Sequence, residues 1–130
     1  MTPERYLLDT TSVVDVSMSI EPVRRRVRNA VAAGVTVGIC AITVGEFMTG
    51  IAPSKRPDWI RFFSSFAYWD ISLDAAIQAG TWRYDYARRG IALSMTDVLI
   101  AAVAVEVNAV VVTDNARHFP MPNVRIESFR

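Results

Sequence analysis

Apolar and polar positions fall into alternating blocks along the chain, short β-branched runs separated by longer stretches of helical period. Residues 5–9 (Arg-Tyr-Leu-Leu-Asp) predict a short strand ending in a carboxylate, and the hydroxyls of Thr10, Thr11 and Ser12 suit the cap of a following helix. A helix is expected over 21–33, with Pro22 in its first turn and Arg24, Arg25, Arg26 and Arg28 clustered on it. The β-branched run 35–41 predicts a second strand. Thr43 then opens a helix through about Gly50, and 53–66 predicts another, on which Trp59, Phe62, Phe63 and Phe66 recur at helical spacing. A third strand is expected over 67–71 and a long helix over 73–89, stopped by Gly90 at its C′ position. The segment 94–107 is apolar nearly all round and predicts a buried helix. Residues 110–113 give a fourth strand and 124–126 a weak fifth.

Strands alternating with helices predict an α/β domain with a mainly parallel sheet of four to five strands flanked by helices, joined by right-handed crossovers. No repeat, low-complexity tract or Pro/Gly-rich linker divides the 130 residues, so 1–130 is expected to form one domain. The mean hydropathy of +0.24 is high enough to raise the question of a membrane span. The uncharged stretch 30–45 contains Gly34, Thr36, Gly38 and Thr43 and falls short of the ~20 apolar residues a spanning helix needs. The stretch 98–112 is broken by Glu106 and Asn108. No span is expected; the surplus fits strands buried on both faces, or an interface between copies.

Charge and cysteine content narrow the class further. Fourteen Lys+Arg against thirteen Asp+Glu give a net charge of +1, which excludes a basic nucleic-acid tail and an acidic solvating tail alike. A lone cysteine makes neither an internal disulfide nor a Zn–Cys site, so Cys40 reads as a small core residue. Nothing near Met1 resembles a signal peptide, and the cytoplasm is the expected compartment. The basic residues are thirteen Arg and Lys55; arginine suits phosphate contacts, though a GC-rich genome gives the same ratio.

In parallel α/β sheets the functional crevice lies beyond the carboxyl ends of the strands. Four polar spots fall there: Asp9 closing strand one, Glu46 in the first turn after strand two, Asp97 in the first turn of the buried helix, and Asp114-Asn115 after strand four. Gathered carboxylates repel unless a cation neutralises them, and a hard divalent ion such as Mg²⁺ does so with one or two carboxylates and water. Thr43-Val-Gly-Glu46 and Ser94-Met-Thr-Asp97 also read as capping boxes, so Glu46 and Asp97 each have a purely local alternative. Asp9 has none, because an acid ending an apolar strand is costly without a partner. Asp15 and Asp85 fit helix positions open to solvent. His118 has no second His or Cys at ligand spacing, which disfavours zinc and leaves packing or phosphate contact.

Four segments carry a resemblance: Leu8-Asp-Thr-Thr-Ser12, Thr43-Val-Gly-Glu-Phe47, Thr96-Asp-Val-Leu-Ile-Ala-Ala102 and Val112-Thr-Asp-Asn-Ala-Arg-His-Phe119. In this order and spacing they resemble the signature segments of PIN-domain nucleases, and more narrowly the VapC toxins of type II toxin–antitoxin systems. The resemblance implies a PIN-like three-layer sandwich and a Mg²⁺- or Mn²⁺-dependent endoribonuclease. Its partners are an RNA substrate and a small cognate antitoxin, and cleavage leaves a 5′-phosphate and a 3′-hydroxyl. Asp9 and Asp97 match the principal metal-binding aspartates and Glu46 the third acid; the fourth position falls on Asn115, with Asp114 beside it. Arg117 and the pair Arg88 and Arg89 are candidates for RNA phosphates, the pair being equally suited to a solvated helix end. A homodimer is expected, its motive the high hydropathy and the aromatic stripe 59–66.

Two other functions compete. A receiver or dehalogenase-like phosphotransfer domain also carries strand-end aspartates. The dehalogenase pattern wants an acid where Thr11 stands, and a receiver wants a Lys after its last core strand, whereas the only lysine is Lys55. A catalytically silent PIN-fold binding module is the second rival, opposed by the presence of all three main acids.

Overall fold

The structure, a computed structural model, describes residues 3–130. Its centre is five short strands: β1 (Arg5–Leu8), β2 (Thr36–Cys40), β3 (Ala67–Trp69), β4 (Val110–Val112) and β5 (Ile126–Glu127). Around them lie α1 (Thr10–Ser17), α2 (Val23–Ala32), α3 (Ala41–Met48), α4 (Arg56–Phe63), α5 (Leu73–Arg88) and α6 (Met95–Glu106). All strand pairings are parallel and the spatial order is β3-β2-β1-β4-β5. The chain steps outward from β1 to β3, then returns to build β4 and β5 on the other side. The reversal falls between β1 and β4, whose carboxyl ends therefore flank a natural crevice.

Because successive strand residues point to opposite faces, each strand feeds two cores. Leu7, Cys40 and Val111 pack on α5 and α6 through Trp82, Ile100 and Val103. Tyr6, Leu8, Ile39 and Val112 face the other way, toward Val13 of α1, Val27 of α2 and the aromatic side chains of α3 and α4. Burial pushes the Cys40 thiol pKa up, which keeps it a protonated core group. Gly38 is required in β2: a Cβ there would run into the Trp69 ring lying across it from β3. As expected, α6 is buried over most of its surface, and Gly90, at φ +78°, ends the turn after α5.

Several expected boundaries shift. The second strand passes straight into α3, so that helix starts at Ala41 and not at Thr43. Thr43 is turned into the core and caps nothing, and Glu46 moves into the second turn. The expected helix 53–66 divides into a 3₁₀ turn (Pro53–Lys55) and α4. The weak fifth strand slips to Ile126–Glu127, with Val124 buried before it. The aromatic stripe is not an open face: Phe62, Phe63 and Phe66 pack against the second core, and Phe47 meets Trp59 at 4.8 Å and Phe63 at 5.3 Å between ring centroids.

The largest correction concerns Asp15, which is buried. Its carboxylate accepts from Arg130 Nη2 at 2.8 and 2.9 Å and from Nε at 3.1 Å, a forked pair that satisfies the charge in place of water. Nothing local in the sequence announces a partner 115 positions away. Asp85 is exposed, as expected.

Candidate active site

Asp9 follows β1 directly and serves as the N-cap of α1: its Oδ1 accepts the Ser12 N–H at 2.8 Å. The expectation that this acid has no capping role is thus overturned. The helix begins at Thr10, so its first unpaired N–H groups face back onto the carboxylate. Of the three hydroxyls expected to cap, Ser12 Oγ donates instead to Val112 O at 3.0 Å and ties α1 to β4.

Asp97 sits in the first turn of α6, where the N-cap Ser94 Oγ accepts its backbone N–H at 3.1 Å. Glu46 is held from outside its own helix. Thr10 Oγ1 donates to Oε1 at 2.9 Å, and Thr96 Oγ1 donates to Oε2 at 2.9 Å. Each donor is the chain neighbour of an aspartate, so this glutamate joins the starts of α1 and α6 to α3. After β4, the Asn115 N–H donates to Thr113 Oγ1 at 3.0 Å, which shapes a turn.

Asp9, Glu46, Asp97 and Asn115 line one open pocket of about 350 Å³, with Thr10, Thr96 and His118. It opens at the carboxyl ends of β1 and β4, where the strand order reverses. His118 Nδ1 lies 3.4 Å from Asp97 Oδ2 and becomes a cationic partner when protonated. Asp114 turns away: its Oδ1 accepts from Ser128 Oγ at 3.1 Å and its Oδ2 lies 3.8 Å from Arg130 Nε. Arg88 and Arg89 do not line the pocket; they stack over Tyr84 and Tyr86 at 5.2 and 4.0 Å. Arg117 is exposed in the 3₁₀ turn Ala116–His118, between two pocket residues. The sequence left His118 open between packing and phosphate contact, and the pocket lining favours the second; Thr10 and Thr96 were not expected as site residues, although Asp-Thr and Thr-Asp adjacency was the available signal.

The pocket gathers three carboxylates, and among the described residues no lysine or arginine lines it. Such a set calls for a cation. Among the described residues, no three acidic, His or Cys side chains stand close enough together to hold a metal ion between them. The donors fit an ion that keeps much of its water: hard carboxylate oxygens on an open pocket suit Mg²⁺, and a single histidine without cysteine does not suit zinc.

The PIN domain family model matches residues 6–122. The chain belongs to the PIN-domain family. The ribonuclease VapC19 of Mycobacterium tuberculosis is 31% identical over 117 residues, 88% of this chain and 92% of its own length. The tRNA(fMet)-specific endonuclease VapC of Salmonella typhimurium is 30% identical over 132 residues, 96% of this chain and 98% of its own. Within the PIN family the chain is thereby a member of the VapC ribonucleases. The crystal structure of DNA-bound VapBC from Salmonella typhimurium superposes with a TM-score of 0.78 at 28% identity, over 97% of this chain and 98% of that one. The PIN sheet and its flanking helices expected from the four segments are the observed ones.

Proposed function

We propose that this PIN-domain protein is a divalent-metal-dependent endoribonuclease and the toxin half of a toxin–antitoxin pair, acting on RNA in the cytoplasm. The observation that carries this reading is the gathering of Asp9, Glu46 and Asp97 on one solvent-open pocket. Asp9 and Asp97 would hold the ion, Mg²⁺ or Mn²⁺, with Glu46 beside them. When bound, the ion offsets charge on the phosphodiester and acidifies an attacking water. Thr10 and Thr96 keep both Glu46 oxygens oriented through their hydroxyls. His118, its Nδ1 3.4 Å from Asp97 Oδ2, offers an imidazole N–H for a phosphate oxygen. Asn115 presents an amide that donates or accepts without adding charge. An acidic pocket repels RNA, so arginines around its mouth must supply attraction, Arg117 first and Arg88 and Arg89 farther off.

The antitoxin reading has its own support. The Salmonella relative is seen as a VapBC complex. Here an open groove of about 290 Å³ lies beside α1, α2 and α4, floored by Val27, Val31, Phe62 and Phe66 and edged by Arg24 and Arg28. Such a groove suits an apolar segment that carries carboxylates.

The test is direct. Purified protein should cut RNA in Mg²⁺, lose the activity in EDTA and regain it with Mn²⁺. Asp97→Asn should abolish cleavage and leave the circular-dichroism spectrum unchanged. Cleavage by Asp97→Asn at the wild-type rate would sink the assignment.

A further inference from the structure

We propose that Arg130 is a positioning residue for this pocket: bridging Asp15 on α1 and Asp114 on the turn after β4, it fixes how Asp9 and Asn115 stand to one another. The inference rests on the metal-dependent reading above.

The guanidinium grips Asp15 through Nε and Nη2 while its Nε lies 3.8 Å from Asp114. Asp15, first by hydrogen bonding, holds the Arg130 pKa above its usual value, and the charges of Asp114 and Asp9 add to the effect. The surrounding chain is tied on both sides. Thr113 N–H donates to Glu127 O at 3.0 Å, and the Phe129 ring meets Tyr6 edge-on at 5.0 Å. Ser128 Oγ donates to Asp114 and accepts the Arg130 N–H at 3.2 Å. Residues 127–130 therefore hold the two segments that flank the crevice.

The anchored atoms sit close in sequence to the site. Asp15 lies on the eight-residue helix that Asp9 caps, and Asp114 is the neighbour of Asn115. A short helix is stiff, so fixing its far end fixes the carboxylate at its start. With the arginine side chain 46% exposed, water screens the pair and its share of the stability is modest. What the forked pair adds is direction.

Charge and position make opposite predictions, which allows a clean test. Removing a cation whose charge reaches Asp9 should, by electrostatics alone, tighten binding of a divalent ion. Losing the positioning should weaken it. The measurement is Mn²⁺ binding to the full chain without RNA, followed by electron paramagnetic resonance, with RNA cleavage run in parallel.

Arg130→Ala should raise the Mn²⁺ Kd about tenfold, the scale on which outer-shell partners act, and lower kcat with KM for RNA within about twofold. Arg130→Lys should recover part of both, since one ammonium keeps the charge and loses the fork. Ser128→Ala changes no charge and leaves the Asp15–Arg130 pair closed. It should weaken Mn²⁺ binding in the same direction by a smaller factor, and it carries the test if Arg130→Ala does not fold. Unchanged or tighter Mn²⁺ binding in Arg130→Ala, or wild-type binding in Ser128→Ala when the alanine variant is unfolded, would overturn the proposal. A wild-type protein that binds Mn²⁺ and cuts no RNA would refute the nuclease reading alone, and the Mn²⁺ comparison would still decide the role of Arg130.

Discussion

Asp114 and Asn115 are adjacent, similar in size, and turned to different surroundings: Asn115 lines the pocket, and Asp114 is engaged by Ser128 and Arg130. Asp114→Asn should therefore lose far less RNA cleavage than Asp9→Asn. Asn115→Asp should tighten Mg²⁺ binding to the free protein by adding a carboxylate to the pocket. Equal loss in Asp114→Asn and Asp9→Asn would make Asp114 the fourth acid. A second residue-scale outcome concerns Tyr6, whose phenol is pushed up to about 12 by burial first and then by its hydrogen bond to Glu127 Oε2 at 2.9 Å. The folded state thus favours the neutral phenol over the unfolded chain, where the pKa is about 10. This contribution to stability is complete below about pH 10 and disappears as pH rises through about 12. Alkaline titration followed at 295 nm should show a late tyrosine step near pH 12 that is lost in Tyr6→Phe.

The element that most changes the account of Asp9 is α1. Because the strand runs straight into this helix, one carboxylate both caps it and faces the pocket. The two roles separate by mutation. Asp9→Asn keeps a capping oxygen and should hold its denaturation midpoint while losing cleavage; Asp9→Ala should lose cleavage and about 1 kcal/mol of stability as well. Urea unfolding of the two variants is the measurement, and equal stability would remove the capping role. The same abrupt strand-to-helix junction displaced Glu46 from its expected box with Thr43. Freed from its own helix end, Glu46 is available to Thr10 and Thr96.

For the whole molecule, the homodimer expected from hydropathy needs a surface, and the aromatic stripe 59–66 is largely consumed by the second core. The outer face of α5 offers one. Leu73, Ile77 and Tyr84 lie exposed on the side opposite its buried Ala75, Ala79, Trp82 and Tyr86, and Gly80 among them has open space over it. Two copies of α5 packed antiparallel across a two-fold axis would set Ile77 of one against Tyr84 of the other, a self-complementary pairing. Ile77→Asp should then shift a wild-type dimer to monomer in light scattering at micromolar concentration. A wild-type protein that is strictly monomeric there would exclude this dimer.

What the sequence determined by itself was local or periodic. The β-branched runs, the apolar period of α6 and the stop at Gly90 each depend on neighbours within a few positions, and so do Ser94 as the cap of α6 and the placing of Asp97 in its first turn. Strand alternation with helices fixed the parallel α/β class, and the strand-end acids named where a site would lie. Tertiary structure decided what depends on distant partners. The Asp15–Arg130 pair joins residues 115 apart, and the Glu46 hydroxyl donors come from two other helices. Ring packing around Phe47 closed a stripe that helical spacing alone left open. Local signals report what a residue can do; whether a carboxylate ends as cap, site or ion-pair partner is set by which charge or hydroxyl the fold brings to it, because burial without such a partner costs more than any local preference supplies.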